Sequence, residues 1–348
     1  MDPPGGGIVK RKICHNFENL ISLENLFLAW DEFKKGKRKK IDVQIFERNL
    51  EDNLFELCED LNNKTYQHST YKSFYIQDPK LRHIHKAEVR DRIIHHLISR
   101  YLEKIFEPSF IFDSYSCRKN KGTHRAVERL GKFYWRVSKN CTRNCFVLKC
   151  DIKKFFASVD RQILLNIISK KIDNPDILWL IKNIIDSFPQ GIPLGNLTSQ
   201  IFANIYLNEL DQFVKHQLKI KYYIRYTDDF VILSKNKEYL EALIPIINDF
   251  LGDKLKLILH PNKVIIRKYK QGIDFLGYVS LPYWRVLRTK TKKRMFKKLE
   301  KKIDEFRQGQ ISEETLNQSI QSYFGVLKHC NSCKLREKLE QRIKIIRT

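Results

Sequence analysis

The stretch YIRYTDDFVIL, residues 223–233, places two adjacent aspartates between two apolar runs. Residues 222–227 and 230–234 are rich in aromatic and β-branched side chains, which predicts two strands joined at Asp228 and Asp229. The acidic pair is either an ordinary turn, since aspartate is common in turns, or part of a metal site. A third carboxylate from elsewhere in the chain would favour the metal site.

A candidate for that third carboxylate ends a strand upstream of the hairpin. Residues 146–151, FVLKCD, have the composition of a strand that ends in Asp151. If this strand and the hairpin are neighbours, Asp151 and Asp228 converge. Clustered carboxylates repel one another, and oxygen ligands without His or Cys favour Mg²⁺ or Mn²⁺. Two such ions about 4 Å apart support phosphoryl transfer.

The charge of the chain indicates what its partner is. The 348 residues include 65 Lys and Arg against 40 Asp and Glu, a formal net charge of +25. Such an excess favours a polyanionic partner, and with the acids it points to nucleotidyl transfer on nucleic acid. No apolar run has the roughly 18 residues of a membrane span, and the N-terminus lacks a signal-peptide core. We therefore expect no membrane partner and a cytoplasmic location.

The order of predicted elements indicates an α+β fold. After the strand at 146–151 we predict two helices within 161–187 broken at Asn174-Pro175, a long helix from Thr198 to about His216, the hairpin, a helix near 237–252, and strands near 263–268 and 275–280. This βαββαβ-like order predicts an antiparallel sheet faced by helices. A parallel dinucleotide-binding fold fits poorly, because no GxGxxG and no phosphate-binding loop occurs.

The two ends of the chain have their own patterns. Residues 16–62 are predicted to be helical, residues 71–85 to form two short strands, and residues 88–106 to form a helix with apolar residues at helical spacing. Residues 281–348 are predicted to be helical and hold 18 Lys and Arg against 7 Asp and Glu. We place a domain boundary at this composition shift near Leu281.

Taken jointly, several motifs resemble those of reverse transcriptases. YTDDF (226–230) matches their Y-x-D-D box, CDIKKFF (150–156) their first palm motif and GIPLGNLTSQIFANIYL (191–207) the motif between. Further matches in family order are KLRHI (80–84), RDRIIHHLI (90–98), HPNK (260–263) and FLGY (275–278). SYFGVLKHCNSCKLR (322–336) resembles the thumb of the group II intron-like branch.

The resemblance implies a right-hand polymerase. Its parts would be fingers, a ferredoxin-like (RRM-like) antiparallel palm and a helical thumb. The expected divisions are a flexible lead (1–15), an N-terminal region with fingers (16–145), a palm (146–280, with 175–205 contributing to the fingers) and a basic helical thumb (281–348).

The resemblance also implies roles for individual residues. Two Mg²⁺ ions, or Mn²⁺, would lie at Asp151, Ile152, Asp228 and Asp229, and Lys263 would act near the leaving pyrophosphate or be a plain surface lysine. Residues expected to bind the dNTP are Lys80, Arg82, Phe156, Leu194, Gly195 and Gln200. Residues expected to bind primer and template are Leu276, Gly277, Lys292, Lys293, Arg294, Lys297 and Lys298. Phe156 would exclude a ribose 2′-hydroxyl, the alternative being a core aromatic; the thumb lysines could instead be a solvated helix face.

One motif resembles a particular branch of the family. Residues 194–200 read LGNLTSQ where most reverse transcriptases have Q-G-x-x-x-S-P, and this form is typical of diversity-generating retroelements. The resemblance implies cDNA synthesis from a template-repeat RNA with errors at adenines, helped by a small basic accessory variability protein. Retron, defence-associated and intron-type enzymes, or a catalytically dead RNA-binding scaffold, are the alternatives. We hypothesise that Leu194 and Arg82 set the infidelity.

Overall fold

A computed structural model describes residues 16–77 and 80–347, so the lead predicted for 1–15 lies outside the described residues, as do Asp78, Pro79 and Thr348. The helices are α1 (Phe17–Leu20), α2 (Leu23–Lys34), α3 (Ile41–Arg48), α4 (Leu50–Asn62), α5 (Val89–Phe106), α6 (Thr123–Val137), α7 (Phe155–Ser158), α8 (Arg161–Ser169), α9 (Pro175–Asp186), α10 (Leu197–Gln212), α11 (Lys237–Leu255), α12 (Thr289–Arg307), α13 (Glu313–Leu327) and α14 (Cys333–Arg347). The strands are β1 (Lys72–Gln77), β2 (Leu81–Lys86), β3 (Phe146–Asp151), β4 (Tyr223–Tyr226), β5 (Asp229–Ser234), β6 (Ile265–Lys268), β7 (Ile273–Phe275), β8 (Tyr278–Ser280) and β9 (Arg285–Leu287). Within the described ranges, no helix combines the length and apolarity needed to cross a membrane.

The chain divides into two compact units. The first contains the residues up to Ile111 together with Lys153–Gln212 and Phe250–Ile258. It is largely helical and includes the antiparallel hairpin of β1 and β2. The apolar stripe predicted for α5 is buried, and its members are Ile93, Ile94, Leu97, Ile98 and Leu102. Asn174 caps α9 through its side chain and Pro175 begins the helix, as the predicted break at this dipeptide requires.

The second unit contains Phe112–Ile152, Phe213–Asp249 and the residues from Leu259 onward. Its larger sheet has the strand order β4–β5–β3–β6 with every neighbouring pair antiparallel, which is the order of a βαββαβ fold. A smaller antiparallel sheet has the order β7–β8–β9. Buried side chains of α6, both sheets and the C-terminal helices form one core in this unit.

Three predicted elements differ from the structure. The strand predicted at 275–280 is a hairpin, since Leu276 and Gly277 both have positive φ and form the turn between β7 and β8. The helical prediction for 281–348 was wrong at β9, where Arg285–Leu287 pair with β8. The helix predicted to reach His216 is α-helical only to Gln212, and residues 213–217 form a π-helical turn.

Candidate active site

The candidate site centres on two carboxylates that lie opposite each other on adjacent strands of the larger sheet. Asp151 ends β3 and Asp229 begins β5, and the two are direct partners in the antiparallel register. Directly opposed residues project from the same face of a sheet. The third acid, Asp228, lies in the turn before β5, and its carbonyl accepts a hydrogen bond from the Ile152 amide at 3.2 Å. The sequence predicted that Asp151 converges with Asp228, whereas the register opposes Asp151 to Asp229 and leaves Asp228 in the adjoining turn.

Two lysines neutralise this pair. The Lys263 ammonium donates to Asp151 Oδ1 at 2.6 Å, and the turn that carries Lys263 is held because the His260 amide donates to the Asp151 carbonyl at 2.7 Å. The Lys149 ammonium lies 3.6 Å from Asp229 Oδ2. Each carboxylate thus has one cation beside it, which lowers the repulsion between the two acids.

The surroundings of Asp229 disfavour its charged form. Burial, with the nearby charges of Asp151 and Asp228, raises the pKa of Asp229 to about 6, although Lys149 opposes the shift. Its Oδ1 atom is buried and has no hydrogen-bond partner. A buried carboxylate oxygen without a donor favours a cation as its partner.

The donor chemistry of the pair fits a hard divalent ion. Carboxylate oxygens without His or Cys suit Mg²⁺ or Mn²⁺, and the unpartnered Oδ1 of Asp229 offers one free ligand atom. The described residues contain no group of three or more His, Cys, Asp and Glu side chains arranged to hold a metal ion. Lys263 contacts Asp151 Oδ1 and Lys149 lies beside Asp229 Oδ2, so an ion that bound these two oxygens would compete with the lysines for them.

The turn that carries Asp228 has an unusual backbone. Thr227 has φ 52°, a conformation that a β-branched residue rarely adopts and that costs of order 1–3 kcal/mol. Its hydroxyl donates to Ser116 Oγ at 2.6 Å, and its carbonyl accepts from the Arg225 guanidinium at 3.2 Å. Strained backbone of this kind persists only where neighbouring contacts enforce it.

Arg225 ties this turn to the segment 113–116. The side chain is fully buried, and its guanidinium also donates to Ser114 Oγ at 3.1 Å. Its backbone amide donates to the Asp113 carbonyl at 3.0 Å, and its carbonyl accepts from the Tyr115 amide at 2.9 Å. The segment 113–116 therefore runs along β4 and supports the turn through both backbone and side chains.

The Leu276-Gly277 turn, predicted to contact the primer, is connected to the acid pair through Lys149. The Lys149 ammonium donates to the Asp274 carbonyl on β7 at 3.0 Å, and the Arg288 amide donates to the Gly277 carbonyl at 3.0 Å. A cavity of about 230 Å³ lies beside the pair, and its walls include Lys149, Asp151, Lys263 and Asp274. The acids, the turn and the start of α12 therefore belong to one connected arrangement.

Comparison with known proteins fits this arrangement. Residues 76–280, more than half of the chain, match the reverse transcriptase (RNA-dependent DNA polymerase) family. The chain belongs to the reverse transcriptase family. RNA-directed DNA synthesis is the activity of this family, and the βαββαβ sheet with its acid pair is the part of the fold that the match covers.

Relatives of this reverse transcriptase occur in bacteria. It is 25% identical over 266 residues to the protein YkfC of Escherichia coli, covering 64% of this chain and 69% of YkfC. It is 24% identical over 347 residues to the group II intron-encoded protein LtrA of Lactococcus lactis, covering 78% of this chain. The reverse transcriptase spans about half of LtrA, with 54% of that protein covered.

A solved structure shows the same fold. Apo telomerase of Candida tropicalis, truncated from its C-terminal domain, matches with a TM-score of 0.50 and 14% sequence identity. The match covers 67% of this chain and 59% of that one. At this identity the likeness concerns the fold alone, and it confirms the predicted α+β polymerase fold.

The residues predicted to bind the dNTP lie in the first unit of the reverse transcriptase. Lys80 and Arg82 are exposed at β2, Gln200 is exposed on α10, and Phe156 is half-buried beside the buried Phe155. The predictions for their roles stay untested by these positions.

The loop at 190–196 is fastened on two sides within the first unit. The His85 amide on β2 donates to the Leu194 carbonyl at 2.8 Å, and the Ile192 amide donates to the Phe156 carbonyl at 2.8 Å. A Cβ on Gly195, whose φ is +118°, would lie 2.8 Å from Ile84 Cγ2. Gly195 therefore combines an unusual backbone conformation with a close approach to β2.

Gly191 offers a test of how tightly this loop is packed. Its φ is +67°, and an added Cβ would lie 2.2 Å from the Phe156 carbonyl oxygen. Gly191→Ala should lower the free energy of unfolding by about 3 kcal/mol or more, since backbone must move. Gly36→Ala is the matched control, because Gly36 has φ +69° and open space, and it should cost only about 1 kcal/mol. Urea denaturation measures the free energy of unfolding of both variants. Equal decreases would show that the loop accommodates the added methyl group at position 191 without strain.

The thumb lysines of the reverse transcriptase lie on α12 around its buried stripe of Met295, Leu299 and Ile303. Lys293, Lys297 and Lys298 are exposed, whereas Lys292 and Arg294 are half-buried. The helix therefore presents three of these cations to solvent, which fits both the predicted contact with the template and a solvated helix face, and contact with the template stays a prediction.

Sequence reasoning missed the residues that support the acids. Lys149 lies two residues before Asp151, so the alternation of side chains along a strand puts both on one face, and this is the signal that the sequence offers for its role. Arg225, Ser114 and Ser116 carried no such signal, because their contacts join segments more than 100 residues apart.

Proposed function

We propose that this chain makes cDNA from a template-repeat RNA by two-metal nucleotidyl transfer, with errors at template adenines. The opposed pair of Asp151 and Asp229, each beside a lysine, is the observation that carries the polymerase part. The LGNLTSQ sequence at 194–200 carries the diversity-generating part. The protein would act in the cytoplasm of a prokaryotic cell, or be phage-encoded, with a small basic accessory variability protein as partner.

The residues would divide the reaction among them. Asp151, Asp228 and Asp229, with the carbonyl of Ile152, would hold Mg²⁺ or Mn²⁺. When bound, these ions supply activation of the primer 3′-hydroxyl and neutralisation of the triphosphate. Lys263 would leave Asp151 and stabilise the departing pyrophosphate. Its ammonium lies 2.6 Å from Asp151 Oδ1, so it is already beside a carboxylate of the proposed metal site.

The remaining roles follow the right-hand plan. Residues 16–145 would form the N-terminal region and fingers, 146–280 the palm with 175–205 joining the fingers, and 281–348 the thumb. Lys80, Arg82 and Gln200 would contact the dNTP, with Phe156 as gate against ribonucleotides. Leu276 and Gly277 would hold the primer, and the α12 cations would hold the template–primer backbone.

An intron-type reverse transcriptase is the second candidate. The similarity to the group II intron-encoded protein LtrA favours it. Mg²⁺-dependent primer extension on RNA tests the activity shared by both candidates, and misincorporation opposite adenine separates them. A rate of error opposite adenine no higher than opposite the other template bases would contradict the diversity-generating assignment.

Leu194 provides a direct test of fidelity. An aliphatic side chain cannot hydrogen-bond the nascent pair, and a directional contact is worth about 1 kcal/mol. Leu194→Gln should therefore lower misincorporation opposite adenine about fivefold. Single-nucleotide incorporation kinetics measure the ratio, with Leu197→Gln as a control on the same loop and helix start. An unchanged ratio in Leu194→Gln would contradict the hypothesis for this residue. The misincorporation ratio of Arg82→Gln would then test Arg82 by itself.

A further inference from the structure

α6 and the segments beside it carry a dense positive charge. Residues 118–143 hold nine Lys and Arg and a single acid, Glu128. Arg125, Lys132 and Arg136 are exposed and follow one another at helical spacing. The opposite face of α6 is apolar and buried, formed by Ala126, Val127, Leu130, Phe133 and Tyr134.

The cations of this region differ in whether an acid neutralises them. Arg129 forms a two-point ion pair with Asp113, at 2.8 and 3.2 Å. In the described part of the chain, no acid forms an ion pair with Arg125, Lys132 or Arg136. A row of cations without acidic partners attracts a polyanion.

An aromatic groove of about 530 Å³ runs along one side of α6. Trp135 of α6 lines it together with Tyr283 and Trp284, which are 70% and 52% exposed. The rings of Trp135 and Tyr283 meet edge to face, with centroids 5.5 Å apart. Arg285 and Lys328 also line the groove. Exposed aromatic faces beside cations are the features with which proteins stack unpaired bases.

A second groove, of about 440 Å³, runs along the other side. Phe112 is 66% exposed there, and the Lys121 ammonium lies 3.5 Å from its ring centroid. Arg125 and Lys132 line this groove, and Glu128 lines both grooves. Two members of the cationic row therefore line the second groove, and Glu128 is the α6 residue that separates them from the aromatic groove.

We propose that this α6 surface, defined as the exposed face of α6 with its two flanking grooves, binds an unpaired stretch of the RNA that the enzyme copies. The proposal rests on the proposed function only for the source of that RNA. Phosphates would follow Lys132 and Arg136, and bases would stack on Tyr283 and Trp284. Unpaired RNA is favoured over a duplex because paired bases do not offer their faces. A nucleic acid is favoured over a basic accessory protein because the surface is itself cationic.

The test compares two double variants of the full chain. A fluorescein-labelled 20-nucleotide uridine RNA is titrated by anisotropy, alongside DNA of the same length and a blunt RNA duplex. Lys132→Glu with Arg136→Glu should weaken binding of the uridine RNA about tenfold and lower its salt dependence. Tyr283→Leu with Trp284→Leu should weaken it about fivefold and leave duplex binding within twofold.

Matched controls come from another exposed part of the same unit. Lys235→Glu and Tyr239→Leu replace an exposed cation and an exposed aromatic, and RNA binding should stay within twofold. Photocrosslinking of 4-thiouridine RNA, mapped by mass spectrometry, should identify the peptide that contains Tyr283 and Trp284. Wild-type affinity in both double variants, or equal loss of duplex binding in the aromatic variant, would overturn the proposal.

Two further measurements distinguish RNA from DNA as the ligand of the α6 surface and test the proposed function separately from this binding. Tighter binding of RNA than DNA, lost in the aromatic variant, supports an RNA site, whereas a preference for DNA overturns that assignment. Primer extension by the wild type on a short RNA template is measured in parallel. Failure of that extension would refute the proposed function and leave the binding result to be judged by itself.

Discussion

Changing Asp229 to Asn should reduce primer extension by about a thousandfold or more. The substitution keeps the shape of the side chain but removes the charge of a carboxylate that faces Asp151 across the sheet. An amide oxygen is a much weaker ligand for Mg²⁺, and the charge that develops in phosphoryl transfer then loses its stabilisation. Single-turnover extension on an RNA template measures the effect.

Thermal unfolding separates this loss from damage to the fold. Asn at position 229 removes one of three neighbouring negative charges, so the melting temperature without Mg²⁺ should not fall. Added Mg²⁺ should raise the melting temperature of the wild type and have little effect on the variant. Asp249→Asn, at an exposed acid on α11, is the control and should extend primers normally. Near-normal extension by Asp229→Asn would refute the assignment of this carboxylate to the metal site.

The elements around the acids were predictable because their signals are local. The strand at 146–151 was predicted to the residue, since six residues of strand-forming character end at one acid. The apolar stripe of α5 and the cap at Asn174 also depend on neighbours within a few residues. Hydrophobic periodicity and capping act over this range, so one sequence suffices to read them.

The remaining features depend on contacts between distant segments. β9 was missed because its three residues become a strand only by pairing with β8. The turn at Leu276 was read as strand because leucine gives no hint of a positive φ. The support of the YTDD turn by residues 113–116 was likewise invisible, since it requires that segment to lie along β4.

Arg225→Met should lower both activity and stability through the turn that carries Asp228. The fully buried guanidinium donates to Ser114 Oγ and to the Thr227 carbonyl, and methionine leaves both acceptors without it. Buried polar atoms without partners cost about 1–3 kcal/mol each, so the free energy of unfolding should fall by about 3 kcal/mol. Thr227 could then relax from its φ of 52°, which would move Asp228.

A displaced turn predicts a specific kinetic signature. The Mg²⁺ concentration for half-maximal extension should rise about tenfold. The rate at saturating Mg²⁺ should fall about a hundredfold, because a small misplacement of reacting groups strongly lowers the reaction rate. For Arg225→Lys, both values should lie between those of the wild type and those of Arg225→Met. An ammonium retains the charge but lacks the planar fork that reaches two acceptors. Lys235→Met, at an exposed cation just after β5, is the control and should leave both values unchanged. A folded Arg225→Met enzyme with wild-type Mg²⁺ dependence would mean that the turn keeps its geometry without this side chain, and the contacts of Ser116 with Thr227 would then carry the positioning alone.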